Sequence, residues 1–227
     1  MNIASAVFDR SAPDLESCPA GTLPEFAFIG RSNVGKSSLL NMLAGKRDLA
    51  RVSATPGFTK MINFFTVNRR WRLVDLPGYG FAQVAREHKA KFNQAVAEYL
   101  AERESLRLVL VLIDSALPPQ ELDLDFVEWL VDSAVPFVLV FTKTDTLKPE
   151  EARANVDAFL GRLAEWCDGV PEVFLCSSVT RTGRTELLRL IGELVAQDEG
   201  QEAGAGGTGG KRRKGGRAKG PSAARPW

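Results

Sequence analysis

At 227 residues, with 44% hydrophobic and 25% charged residues, the chain has the size and balance of one ordinary soluble domain plus extensions. A formal net charge of +1 hides an uneven split, because residues 211–225 hold seven basic side chains and no acid, which leaves the body mildly acidic. Three cysteines (Cys18, Cys167, Cys176) without a CxxC pair exclude a disulfide framework and a zinc ribbon, no apolar run is long enough to span a bilayer, and Asp9-Arg10 arrive too early for a signal peptide, so a cytoplasmic protein without membrane contact is expected.

Residues 1–22 carry Pro13, Pro19, Gly21 and one short apolar piece, Ala6-Val7-Phe8, and read as a loosely attached arm with at most one edge strand. Phe26-Ala27-Phe28-Ile29 then reads as a buried strand. It runs into Gly30-Arg31-Ser32-Asn33-Val34-Gly35-Lys36-Ser37, which fits the pattern G-x-x-x-x-G-K-[ST], and residues 38–43 read as the helix that follows. The glycines let the backbone wrap an anion so that successive N–H groups point at phosphate oxygens. Lys36 reaches the β- and γ-phosphates, the Ser37 hydroxyl can hold Mg²⁺, and the helix adds its positive end. A nucleoside triphosphate with Mg²⁺ as cofactor is the expected ligand.

Residues 52–60 form a loop with two threonines, Thr55 and Thr59, either of which could complete a Mg²⁺ shell; their residue types alone do not separate them. Residues 62–67 and 71–74 are two apolar runs joined by Asn68-Arg69-Arg70, the signature of an antiparallel hairpin, and this order departs from a Rossmann unit. The second run ends in Asp75-Leu76-Pro77-Gly78. A carboxylate at that strand end can hold the Mg²⁺ hydration shell, and Gly78 lets its N–H approach a γ-phosphate. Loss of that phosphate would free the segment, which makes it a switch. The next position, where many relatives of such a motif place a water-orienting glutamine, is Tyr79, so weak intrinsic turnover is expected. His88, the single histidine, reads as an exposed residue at the start of a helix rather than a catalytic base.

Further on, residues 108–114 and 135–141 read as buried strands, with helical apolar spacing between and after them. Thr142-Lys143-Thr144-Asp145 follows the second. A carboxylate there can accept from N1–H and the 2-amino group of guanine in one plane, and adenine offers neither donor. The Lys143 stem can lie along the base. Cys176-Ser177-Ser178, after a sixth short strand, could present backbone N–H groups to guanine O6. The βα rhythm gives an α/β fold: a P-loop domain with a mostly parallel six-stranded sheet, one antiparallel hairpin and helices on both faces. Its expected limits are 23–196, with disorder over 197–227, where no apolar face exists to repay ordering. The tail's Lys/Arg clusters suit an RNA phosphate backbone as well as mere solubility.

The ordered set GRSNVGKS, TPGFTK, DLPGYG, TKTD and CSS, spread over roughly residues 23–195, resembles the EngB family (also called YihA or YsxC) of small bacterial GTPases of ribosome assembly. The resemblance implies a Ras-like GTPase domain that binds GTP and GDP with Mg²⁺, hydrolyses GTP slowly, associates as a monomer with the large ribosomal subunit or its precursor, and is linked to cell division and septation. Carried over by position, Ser37 and Thr59 become the Mg²⁺ ligands. Gly57, Phe58, Thr59, Lys60 and Met61 lie near the nucleotide, and Lys36, Thr59 and Gly78 form the catalytic set. Phe58 and Lys60 depart from the family, which more often shows a basic residue and glutamine there. Asn33 marks K⁺ as a second candidate cofactor, beside the alternative of an asparagine that braces the loop. A regulatory GTPase acting on a protein effector without ribosome contact is the alternative reading, and Asp145 stands against a kinase or ATPase.

Overall fold

The computed structural model describes residues 1–50, 61–80, 86–167, 169 and 171–205. In chain order the elements are β1 (Ala6–Ala12), β2 (Glu25–Gly30), α1 (Lys36–Ala44), β3 (Ile62–Val67), β4 (Trp71–Asp75), α2 (Arg86–Glu102), β5 (Leu106–Asp114), α3 (Glu121–Asp132), β6 (Phe137–Thr142), α4 (Pro149–Leu163), β7 (Val173–Leu175) and α5 (Arg184–Ala205). Among the described residues they build one seven-stranded sheet in the order β1-β3-β4-β2-β5-β6-β7. β2 pairs in parallel with β4 and β5, and β5, β6 and β7 continue in parallel; β3 and β4 form the antiparallel hairpin.

The strands bury both faces, which is why β2, β5 and β6 read as continuous apolar runs rather than alternating ones. On one face Ala27, Ile29, Val109 and Val111 pack with Tyr99, Phe126 and Phe159 under α2, α3 and α4. On the other, Phe26, Phe28, Leu108 and Leu110 pack with Leu40, Leu43, Leu187 and Ile191 under α1 and α5. All parallel strands therefore end at one rim of the sheet, where the loops 30–35, 75–80, 142–146 and 176–183 gather.

Two expectations need correction. Residues 1–22 are tied in more firmly than a loose arm, and the expected edge strand is present: β1 pairs antiparallel with β3 at the edge of the sheet and supplies the seventh strand, with a register shift between Phe8 and Arg10. Only its two ends, Ala6 and Ala12, are buried, so no alternation announced it. The Asn68 side chain holds the chain before it, accepting from Ala4 N at 2.8 Å and Ser5 N at 3.0 Å and donating to Asn2 O at 2.7 Å. The expected disorder from residue 197 also starts too early, because α5 continues to Ala205. Its extra length is held by charge, Arg107 Nε to Asp198 Oδ1 at 2.5 Å and Arg70 to Glu199, which the loss of an apolar stripe concealed. The basic residues 211–225 lie outside the described residues.

At the opposite rim, where the parallel strands begin, Glu25 is fully enclosed. It accepts from Arg103 at 2.7 and 2.9 Å, from the Tyr99 hydroxyl at 3.0 Å and from Arg72 at 3.2 Å. The two guanidinium groups also donate to Pro19 O and Ala20 O, so this one carboxylate ties the arm, β2, β4 and the end of α2 together. Burying a charge is tolerable only with such compensation, and removing one partner leaves the others unpaired. Glu25→Gln should lower the unfolding free energy by about 3–5 kcal/mol, measured by chemical denaturation, while leaving the preference between bound nucleotides unchanged.

Candidate nucleotide-binding site

The loop between β2 and α1 is shaped by close approach. A Cβ on Gly30 would lie 2.6 Å from Leu112 O of β5, so no side chain fits there. Asn33 takes φ 65° and Gly35 φ 97°, turning the chain so that the loop closes on itself. α1 then starts at Lys36 without any side-chain cap, which leaves its first N–H groups as free donors at a positive helix end. The Ser37 hydroxyl, half-buried beside them, bonds to none of the described residues. A cradle of unpaired donors closed by a glycine fits a polyphosphate, and the adjacent hydroxyl fits Mg²⁺.

Lys36 and Asp75 are both buried, and the Lys36 ammonium pairs directly with the Asp75 carboxylate at the end of β4. The two charged groups that the motifs single out thus converge at the mouth of the loop. Asp75-Leu76-Pro77-Gly78 lies immediately against it: a Cβ on Gly78 would sit 2.8 Å from Gly30 O and 3.3 Å from Ser32 N. Leu76 N donates to Phe28 O at 3.0 Å and its side chain is core, so Leu76 anchors the turn from behind. The Gly78 N–H donates to no acceptor among the described residues.

Tyr79 turns inward. Its ring is stacked on Phe126 with centroids 4.6 Å apart, and its hydroxyl donates to Asp123 Oδ1 of α3 at 2.8 Å. Burial raises its phenol well above the usual value, and the same enclosure, only partly offset by the Tyr79 hydrogen bond and the Arg31 charge, pushes the Asp123 carboxyl up to about 6. The phenol oxygen is therefore committed to the core.

The third loop is joined to the first by one hydroxyl. Thr142 Oγ1 lies 2.6 Å from Val34 O, and 3.2 Å from Ile113 O, so the threonine that opens TKTD fastens this turn to the phosphate loop. Lys143, at φ 59°, places its ammonium 2.5 Å from Asp114 Oδ2. Asp145 is exposed, and its carboxylate accepts from none of the described residues. Thr144 N donates to Cys176 O at 3.3 Å, which brings in the last loop.

There the structure narrows the expected donors. Cys176 N–H is taken by Phe141 O at 2.7 Å and Ser177 N–H by Thr182 O at 3.2 Å, which leaves the Ser178 N–H unengaged. The Ser177 hydroxyl is an internal brace, accepting from Val179 N and Thr180 N. Cys176 is fully buried, its thiol pushed up to about 12 by desolvation, and is inert packing. Met61 is described and exposed; Gly57, Phe58, Thr59 and Lys60 lie outside the described residues, as does the His88 side chain. Reasoning from the chain missed Asp114, Asp123 and Gly183. The first two could have been suspected only as acids beside strand ends, a weak signal.

A family model described as "50S ribosome-binding GTPase" matches residues 25–143. A Bacteroides fragilis protein named "Probable GTP-binding protein EngB" is 49% identical over 191 residues, covering 84% of this chain and 95% of its own length. A relative of the same name from Porphyromonas gingivalis is 44% identical with the same coverage. Among solved structures, a crystal structure of a probable GTP-binding protein engB aligns with TM-score 0.57 at 21% identity, covering 76% of this chain and 99% of that one. S. thermophilus NFeoB bound to GDP·AlF4⁻ and K⁺ aligns with TM-score 0.53 at 24% identity, covering 73% and 60%. The structural likenesses establish a Ras-like P-loop fold.

Gly183 sets the last loop. It takes φ 77°, and a Cβ there would meet Leu175 O and Cys176 Sγ at 2.4 Å each. Gly183→Ala should cost about 1–3 kcal/mol of stability and weaken GDP and GTP by the same factor, as read by equilibrium titration with fluorescent nucleotides.

Proposed function

Because the chain belongs to the EngB family of GTP-binding proteins and is a GTPase, we propose that it is a slow, Mg²⁺-dependent GTP hydrolase. It acts in the cytoplasm, as a monomer, as a switch in assembly of the large ribosomal subunit, and normal cell division and septation depend on it. The observation that carries the nucleotide choice is the exposed, unengaged Asp145 carboxylate on a turn that Thr142 fastens to the phosphate loop. Residues 23–196 carry the working motifs of the domain, with β1 and the end of α5 packed onto them.

In this reading the chain's own groups do the following. The free N–H groups at the start of α1 and the Lys36 ammonium take the β- and γ-phosphate oxygens, Lys36 exchanging Asp75 for phosphate. Asp145 accepts from the guanine edge, Ser178 N–H donates to O6, and the Lys143 stem, held by Asp114, lies along the base. Gly78 N–H reaches the γ-phosphate. Ser37 and Thr59 would hold Mg²⁺, which when bound would supply positive charge beside the phosphates. With Tyr79 buried, no side chain of the DLPGYG turn stands ready to position water, which supports slow turnover.

Support for the ribosomal partner is the family description itself. Co-sedimentation tests both halves of the proposal. The wild type should travel with large-subunit particles in a non-hydrolysable GTP analogue and be released in GDP. Asp145→Asn should do so only with the xanthine analogue, because an amide inverts the donor–acceptor pairing at the base. Failure to associate in any nucleotide would favour a protein effector instead.

Asn33, exposed and at positive φ in the phosphate loop, supports K⁺ as an additional cofactor. A bound monovalent cation would add charge beside the phosphates. Turnover should then be at least several-fold faster in K⁺ than in Na⁺, about 1 kcal/mol in barrier, and Asn33→Ala should abolish the difference; equal wild-type rates would remove the cation.

A further inference from the structure

The GTPase activity absorbs the four loops at the rim, but not the most expensive group beside them. Asp123 is 2% exposed, sits on α3 rather than on any nucleotide motif, and among the described residues its side chain hydrogen-bonds only to the Tyr79 phenol. A carboxylate enclosed in this way is costly, and a structural partner for a phenol could be neutral.

What the pair holds is defined by the backbone next to Tyr79. Tyr79 N donates to Gly30 O at 3.2 Å, and Arg31 and Tyr79 form an isolated parallel bridge, so the residue after Gly78 is stitched to the phosphate loop. Its ring is clamped on Phe126 and its hydroxyl is fixed by Asp123. Arg31, in the phosphate loop, lies close enough to lower the cost of the Asp123 charge. Next to this anchored residue Gly78 presents an N–H without an acceptor among the described residues, and a Cβ on Gly78 would lie 3.3 Å from Ser32 N. The position of that N–H is therefore set less by its own turn than by where the Tyr79 side chain ends.

We propose that Asp123 is a positioning residue for γ-phosphate recognition: by holding the Tyr79 hydroxyl it keeps the Gly78 peptide against the phosphate loop, so that the γ-phosphate contact adds to the affinity for GTP. The proposal rests on Gly78 as the γ-phosphate donor. It makes α3 the element on which the triphosphate state is registered, in addition to the loops that touch the nucleotide. An ionised acceptor suits this task, because a charge-assisted bond holds the phenol in one orientation more firmly than a neutral one.

The test is a titration of full-length protein with fluorescent GDP and a fluorescent non-hydrolysable GTP analogue, with thermal unfolding measured on each variant. Tyr79→Phe removes only the hydroxyl and should weaken the GTP analogue about tenfold, the worth of one hydrogen bond to a charged group, with GDP affinity within twofold of wild type. Asp123→Ala should show the same selective loss. Asp123→Asn keeps an oxygen acceptor for the phenol and should restore most of the affinity for the GTP analogue. Gly78→Ala reports separately on the underlying reading: if it leaves the ratio untouched, Gly78 is not the γ-phosphate donor. If Gly78→Ala lowers the ratio but Tyr79→Phe does not, or if the Tyr79 and Asp123 variants weaken both nucleotides equally in step with a lower Tm, the positioning role is wrong.

Discussion

The rim of the sheet works because β5 leaves no room beside Gly30. With Leu112 O 2.6 Å from where a side chain would begin, the phosphate loop can lie flat on the end of the neighbouring strand, and everything else at the site is built onto that contact. Gly78 approaches Gly30 O from the β4 side, and Thr142 reaches Val34 O from the β6 side. Leu112 of β5, Gly78 after β4 and Thr142 at the end of β6 thus all touch one short stretch of backbone. Small polar groups and missing side chains do this, since a larger residue at any of these points would force the loops apart.

The two rims of the sheet follow different physical rules. At the start of the parallel strands, Glu25 is saturated by two guanidinium groups and a phenol, while Arg72 Nε lies 3.6 Å from the Asp9 carboxylate and Trp71 Nε1 has no hydrogen-bond partner among the described residues. At the other rim, the start of α1, Gly78 N–H, Ser37 and Asp145 lack partners among the described residues. The fold thus encloses and pairs its charges at one end, and at the other leaves half-buried and exposed donors and acceptors open where a polyphosphate and a base can use them.

Most of the site could be read from residue order, since G-x-x-x-x-G-K-[ST], D-x-x-G and TKxD each encode a backbone requirement at fixed spacing. The hairpin was legible because Asn68 and Arg69 occupy a turn between two apolar runs. What escaped reading is what only tertiary contact creates. Asp114 and Asp123 are ordinary acids in sequence, and they acquire roles by meeting Lys143 and Tyr79 across 29 and 44 residues. β1 carries no period-two pattern because its outer side chains face solvent, and α5 outruns its apolar stripe because arginines on β5 and the hairpin capture its acids. The Cys176-Ser177-Ser178 donors were overcounted for a related reason: β-type bonds to Phe141 O and Thr182 O consume two of three N–H groups, which spacing cannot reveal.

The anchoring of α5 sets how far its end lies from the phosphate rim. The helix starts beside the guanine loop and its 22 residues run about 33 Å before Ala205, where Arg70 and Arg107 have already fastened it to the far rim. At physiological ionic strength a charge is felt over about 8 Å. The last turn of α5 therefore lies beyond the electrostatic reach of the phosphate rim, and the acids before it, Asp198 and Glu199, answer to Arg107 and Arg70.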